Sequence, residues 1–168
     1  MNNLKESQMQ QMSFTKAFVI YDDLSSFAKA NVALQSFAQN PRSGVNWTIK
    51  PWMAALLRFP PTSDEALTQA LDAQLIVFAS RGDQSYPFWL QDWLARWARR
   101  RQIENAAFVV VSQRNTNRPA SADGFTVEKF AKGHGLDVIA HIRGDQENKS
   151  LIIPGFPYKP QTPALPAQ

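Results

Sequence analysis

The chain of 168 residues contains no cysteine. That excludes disulfides, thiolate metal sites and thiol nucleophiles, and it agrees with a cytoplasmic location. Histidine is nearly as scarce. His134 lies between two glycines and His141 in an apolar run, neither with a partner suited to a triad or a metal site. The phosphate-cradling patterns G-x-G-x-x-G and G-x-x-x-x-G-K-[ST] do not occur, which argues against an enzyme of dinucleotides or nucleoside triphosphates. No metal or cofactor is therefore expected. No run approaches the ~20 apolar residues of a membrane helix, so no membrane association is expected. Residues 1–11 lack the basic start and apolar middle of a signal peptide, and the mature chain is expected to begin near Met1.

What remains is the composition of an ordinary globular domain, 44% hydrophobic and 19% charged, in a length that buries a proper core. The net charge of +4 and pI near 9.6 are mildly basic. Such a balance suits acidic partners or nucleic acid, but it is also common in domains that bind neither.

Three parts are expected: a flexible arm over residues 1–14, one α/β domain over 15–153, and a Pro-rich tail over 154–168. Five short apolar runs read as strands, at 16–21, 45–50, 75–79, 107–111 and 136–142. Pro51 is expected to end the second, near a sheet edge. Helices are expected from a cap at Asp23 or Ser25 to about residue 39, from Thr62 or Ser63 to about 72, over 87–101 and over 127–132. On the first, Leu24, Phe27, Leu34, Phe37 and Ala38 share one face. Residues 52–57 are too short to assign, 115–122 read as a polar loop, and 151–153 as an extra antiparallel edge strand. Strands alternating with helices predict a parallel sheet covered on both faces. The predicted fold is a three-layer α/β/α sandwich with flavodoxin-like strand order 2-1-3-4-5.

In such a sheet chemistry gathers at the carboxyl ends of the strands. The first strand ends in Asp22-Asp23, the third in Ser80-Arg81, the fourth in Ser112. Adjacent carboxylates at a strand end suit a hard cation such as Mg²⁺, or one of them caps the following helix. Asp22, Asp23, Ser80, Arg81 and Ser112 are the candidate ligand-binding residues.

A buried strand ending in an acid pair, followed by a helix within a repeated strand–helix pattern, resembles the receiver domains of response regulators from about residue 16 to 143. The resemblance implies that Asp22 and Asp23 stand at the Mg²⁺-binding acid pair and Ser112 at the hydroxyl position. Ser80 stands where the family carries its phosphate-accepting aspartate. Arg143, at the end of the fifth strand, is the nearest cation to the family's lysine position. A serine hydroxyl needs an activating base that a carboxylate does not, so the family's acyl-phosphate chemistry is not expected.

Other features point outward. Arg81-Gly82-Asp83-Gln84 recurs as Arg143-Gly144-Asp145-Gln146; the arginines suit phosphate or carboxylate, and Gly-Asp is also plain turn chemistry. Trp89, Trp93 and Trp97 form a helical stripe, read either as core or as interface anchors. Arg96, Arg99, Arg100 and Arg101 close that helix, where the dipole favours cations; a phosphate-binding patch is the sharper alternative. Trp89, Trp93, Trp97, Arg96 and Arg100 are the candidate interaction residues. Prolines at 154, 157, 160, 163 and 166 fit the three-residue turn of a polyproline II rod. That rod would be passive, or dock on its own domain through Phe156 and Tyr158, or on a partner.

Two functions are compatible with these residues. One is a non-enzymatic regulatory or protein-interaction domain that lacks the phosphoacceptor, with a protein partner or a second copy of itself. The other is a small-molecule or flavin-binding domain, or an enzyme, using the strand-end crevice.

Overall fold

A computed structural model describes residues 13–38, 45–81, 86–112 and 124–143. In chain order the elements are β1 (Ser13–Tyr21), α1 (Leu24–Ala38), β2 (Val45–Met53), a short 3-10 helix (Ala54–Arg58), α2 (Pro60–Ala70), β3 (Leu75–Ser80), α3 (Phe88–Arg100), β4 (Ala107–Ser112), α4 (Val127–Gly133) and β5 (Asp137–Arg143). The strands form one all-parallel sheet in the order β2-β1-β3-β4-β5, the flavodoxin-like arrangement expected. Residues 1–12 of the expected arm, residues 115–122, the extra edge strand at 151–153 and the tail lie outside the described residues, while Ser13 and Phe14, expected in the arm, begin β1.

The topology distributes the helices. Passing from β1 to β2 moves one way along the sheet, while the next three crossovers move the other way. Right-handed crossovers therefore put α1 on one face, here the back, and α2, α3 and α4 on the other, the front. Side chains alternate accordingly. Phe18, Ile20, Ile76, Phe78, Phe108 and Val110 pack at the front with Leu67, Leu94, Trp93 and Trp97. Ala17, Val19, Val77, Val109 and Val111 pack at the back with Ala30, Leu34 and Phe37 of α1. The central strand β3 is buried from Leu75 to Ala79, which is why it reads as an unbroken apolar run.

Four local expectations change. Leu24 leaves the buried face of α1, which consists of Ser26, Ala30, Leu34 and Phe37; as the first helical residue it projects from the helix end rather than over the sheet. β2 runs through Pro51 to Met53. Among the described strands it pairs with β1 alone, so it is an edge strand, where a missing N–H is tolerated. Trp52 belongs to this strand and the residues after it form the 3-10 helix. α2 begins at Pro60 and Pro61 rather than after them, because the first turn of a helix makes no use of the N–H that proline lacks.

The candidate site at the carboxyl edge of the sheet

The strand ends bring the predicted residues to one edge. Tyr21 pairs with Ala79, Ser80 with Ser112, and Ser112 with Arg143 in backbone register. The N–H of Asp22 donates to the carbonyl of Ala79 at 3.2 Å, extending the pairing one step beyond β1. Asp22 is thus fixed beside Ser80.

Each carboxylate then has a defined use. Asp23 Oδ1 accepts the backbone N–H of Ser26 at 2.7 Å, and the Asp23 carbonyl accepts from Phe27 N at 3.1 Å. This is helix N-capping, in which an acid satisfies an otherwise orphaned N–H at the positive end of α1. Asp23 Oδ2 takes the Nε of Arg81 as an ion pair. Both oxygens of Asp23 are therefore engaged by the protein itself. The Ser26 N–H, aided by the Arg81 guanidinium, holds the Asp23 pKa below its ordinary value. Asp22 Oδ2 accepts the backbone N–H of Arg81 at 3.1 Å. Its Oδ1 is shielded from solvent and has no donor among the described residues. Arg81 thus bridges both acids, through its backbone to Asp22 and its side chain to Asp23.

A cleft of about 30 Å³ opens beside Asp22 and Ser80, bounded by Ala54, Phe78, Tyr86 and Leu90. That is room for about two water molecules, at the ~10–15 Å³ each requires. Tyr86 is the lining residue that the sequence did not single out. Its ring meets Phe78 edge-on at 5.6 Å and lies 5.3 Å from Phe125, and burial, with the nearby Glu128 charge, raises its hydroxyl pKa well above that of an ordinary phenol. The available signal was its position: an aromatic residue immediately before Pro87 and α3 stands where the chain turns back from the sheet edge.

The remaining candidates separate by burial. Trp93 and Trp97 are 0% exposed, and Trp89 packs partly buried against the same cluster. The stripe is core, so Trp93 and Trp97 are not surface anchors. Trp93 stacks on Phe18 at 5.6 Å, and its indole N–H donates to the carbonyl of Ser63 at 3.1 Å. Trp97 N–H donates to the carbonyl of Ala70 at 2.8 Å, near the end of α2. The two indoles therefore lock α3 onto α2. Arg96 strengthens the same junction, with Nη1 3.1 Å from Asp64, Nη2 2.8 Å from Ser63 Oγ and Nε 3.3 Å from Asp92. Arg99 and Arg100 are exposed at the end of α3. Arg101 donates instead to the carbonyls of Ala98 and His134, tying the helix end to the turn after α4.

Ser112 stands at the end of β4 in register with Ser80, but it is not among the residues lining the cleft. Gly82, Asp83 and Gln84, like Gly144 to Gln146, lie outside the described residues. No cluster of three or more His, Cys, Asp or Glu able to hold a metal occurs among the described residues, and none of their helices is long and apolar enough to cross a membrane. No family model, curated protein or solved structure matches this chain.

Chemically the edge offers one carboxylate oxygen without a donor, at Asp22, with a serine hydroxyl close by. A hydroxyl nucleophile requires a general base within hydrogen-bond reach and a group to steady the developing charge. Arg81, the cation beside the acid pair, is already paired with Asp23.

Proposed function

We propose that this chain is a non-enzymatic protein-interaction domain of receiver-like topology. In this reading the carboxyl edge of the sheet is a docking surface rather than a phosphotransfer site. The observation that carries the proposal is the set of apolar side chains exposed on the elements that leave this edge. Leu24 opens α1, Phe59 caps α2 and Phe88 opens α3, and they are 71%, 56% and 82% exposed. Met53 and Leu56, beside the cleft-lining Ala54, are partly exposed as well. Large apolar side chains gathered at one end of a domain mark interaction sites more often than scattered ones do.

The state of the acid pair supports the same reading. A Mg²⁺ ion bound there would need to displace the Ser26 N–H and the Arg81 guanidinium from Asp23, and hard cations seek oxygen ligands not already spent on other partners. Ser80, where the receiver family has its aspartate, has no base among the cleft residues apart from Asp22. The partner that fits is a protein segment with apolar side chains and flanking acids, matching the exposed Arg58 and the net charge of +4.

The test uses the full chain as bait against a lysate of its own source. It is compared with the F59S/F88S variant, which changes two exposed side chains and should leave the far-UV spectrum and melting temperature unchanged. Loss of the same captured protein by the variant is the expected result. A captured protein that binds both chains equally would place docking elsewhere and overturn the assignment.

A further inference from the structure

The backbone bonding of β1 fixes which groups of β2 face away from the sheet. In a parallel pair the N–H and C=O of one residue reach the same neighbour, and successive residues alternate between neighbours. The N–H of Asp22 donates to the carbonyl of Ala79 in β3, and the carbonyl of Lys16 accepts from Gln74 N just before β3. Even-numbered residues of β1 therefore bond toward β3 and odd-numbered ones toward β2. Ala17 stands opposite Ile49, so its bonds reach the residues flanking Ile49, which are Thr48 and Lys50. The N–H and C=O of Trp47 and Ile49, and the C=O of Pro51, point away from the sheet. Pro51 agrees with this parity, since its missing donor falls on the free side.

Such a row of outward groups is a template for another strand. Asn46, Thr48, Lys50 and Pro51 are exposed along it. Lys50 projects from the front face and Pro51 lies toward the end, so neither guards the Trp47–Ile49 centre. We propose that β2 pairs antiparallel with β2 of a second copy, about a two-fold axis at Thr48, joining the two sheets into one. The sequence Asn46-Trp47-Thr48-Ile49-Lys50 is complementary to itself in that register, as an isologous contact requires. Trp47 and Ile49 of the second copy exchange both main-chain bonds and form an aromatic–β-branched pair, repeated across the axis. Thr48 meets Thr48, Asn46 meets Lys50, and no like charges stand opposite. An axis at Ile49 would set Trp47 against Pro51, which has no N–H to give, and an axis at Lys50 would oppose two cations. The surface is separate from the carboxyl-edge docking surface. Because the copies run antiparallel, the dimer presents that docking surface twice, facing opposite ways.

The full chain should sediment with a mass that rises with concentration toward twice its 18.9 kDa. Thr48 is exposed, and its bonds to β1 are main-chain, so T48K and T48E should keep the parent's far-UV spectrum. Each variant alone should remain monomeric, because position 48 opposes itself, and an equimolar mixture should dimerise again. The chain has no cysteine, so T48C reports proximity without competing thiols. In this register position 48 is a non-hydrogen-bonded pair with Cα atoms about 4.5 Å apart, within the span of a disulfide. Mild oxidation should link T48C chains far faster than S36C chains, whose thiol would sit at an exposed site on α1. A parent chain that is monomeric at every concentration, a dimer that T48K leaves intact, a mixture of T48K and T48E that stays monomeric, or equal cross-linking at the two cysteine sites would each overturn the proposal.

Discussion

Replacing Trp93 by alanine should remove a large share of the stability of the domain. The indole is fully buried, stacks on Phe18 and donates a hydrogen bond to the carbonyl of Ser63 in the first turn of α2. Burial, stacking and hydrogen bond are lost together, and truncations of buried tryptophan cost about 3–5 kcal/mol. Against the total of about 5–15 kcal/mol typical of a domain, that loss is severe. W93F separates the contributions. It retains an aromatic ring against Phe18 but loses the indole N–H and part of the volume, so about 1 kcal/mol for the hydrogen bond and about 1 kcal/mol for the space left behind are expected. Urea unfolding followed by far-UV circular dichroism is the suitable assay, because the other four tryptophans complicate fluorescence. With a slope of about 2 kcal/mol per molar urea, W93A should lower the midpoint by roughly 2 M and W93F by roughly 1 M, with the slope unchanged. A midpoint for W93A within experimental error of the parent would refute the placement of this stripe in the core.

Three further outcomes follow from the same contacts. Asp23 has a lowered pKa because its charged form holds the Ser26 N–H and Arg81. Its contribution to stability is full above the unfolded carboxyl pKa of about 3.9 and is lost as pH falls through its lower folded value. D23A should therefore flatten acid unfolding in that window and lower the urea midpoint, while D23N, still a good cap, should recover much of the midpoint but not the acid dependence. His134 has a lowered pKa through burial and the charges of Arg101 and Arg99. Its neutral form stabilises the fold above the ordinary value of 6.5, and stability falls as pH drops below that; H134Q should show a flatter melting-temperature profile there. Arg96→Ala removes the bonds to Asp64 and to the buried Ser63 hydroxyl, at a cost of about 1 kcal/mol in urea unfolding.

How much of this was legible beforehand depended on the range of the interaction. The strand order was readable because apolar runs, helix breaks and crossover handedness are local or topological. The cap by Asp23 was readable for the same reason, since its partner lies three residues away. The ion pair to Arg81 was not, because it joins residues 58 positions apart whose meeting depends on β1 and β3 being neighbours. Tyr86 escaped for a similar reason: it becomes a lining residue only when β3, α3 and the segment before α4 converge on it. The tryptophan spacing showed one helical stripe but not which side it faced. Its burial follows from α3 lying on the sheet beside α2, where both indole N–H groups find carbonyls. Pro51 illustrates the opposite error, in which a valid local rule was applied to an edge strand that tolerates the exception.

The central claim is that the acid pair serves the fold rather than phosphoryl transfer. It is tested most directly by titrating the isotope-labelled protein with Mg²⁺ and acetyl phosphate, while following the Ser26 amide and the Arg81 Nε–H by NMR and the intact mass. Both signals should stay in place through the titration, with no phosphoryl adduct. Saturable shifts of these two groups together with an adduct on Ser80 or Asp22 would contradict the account.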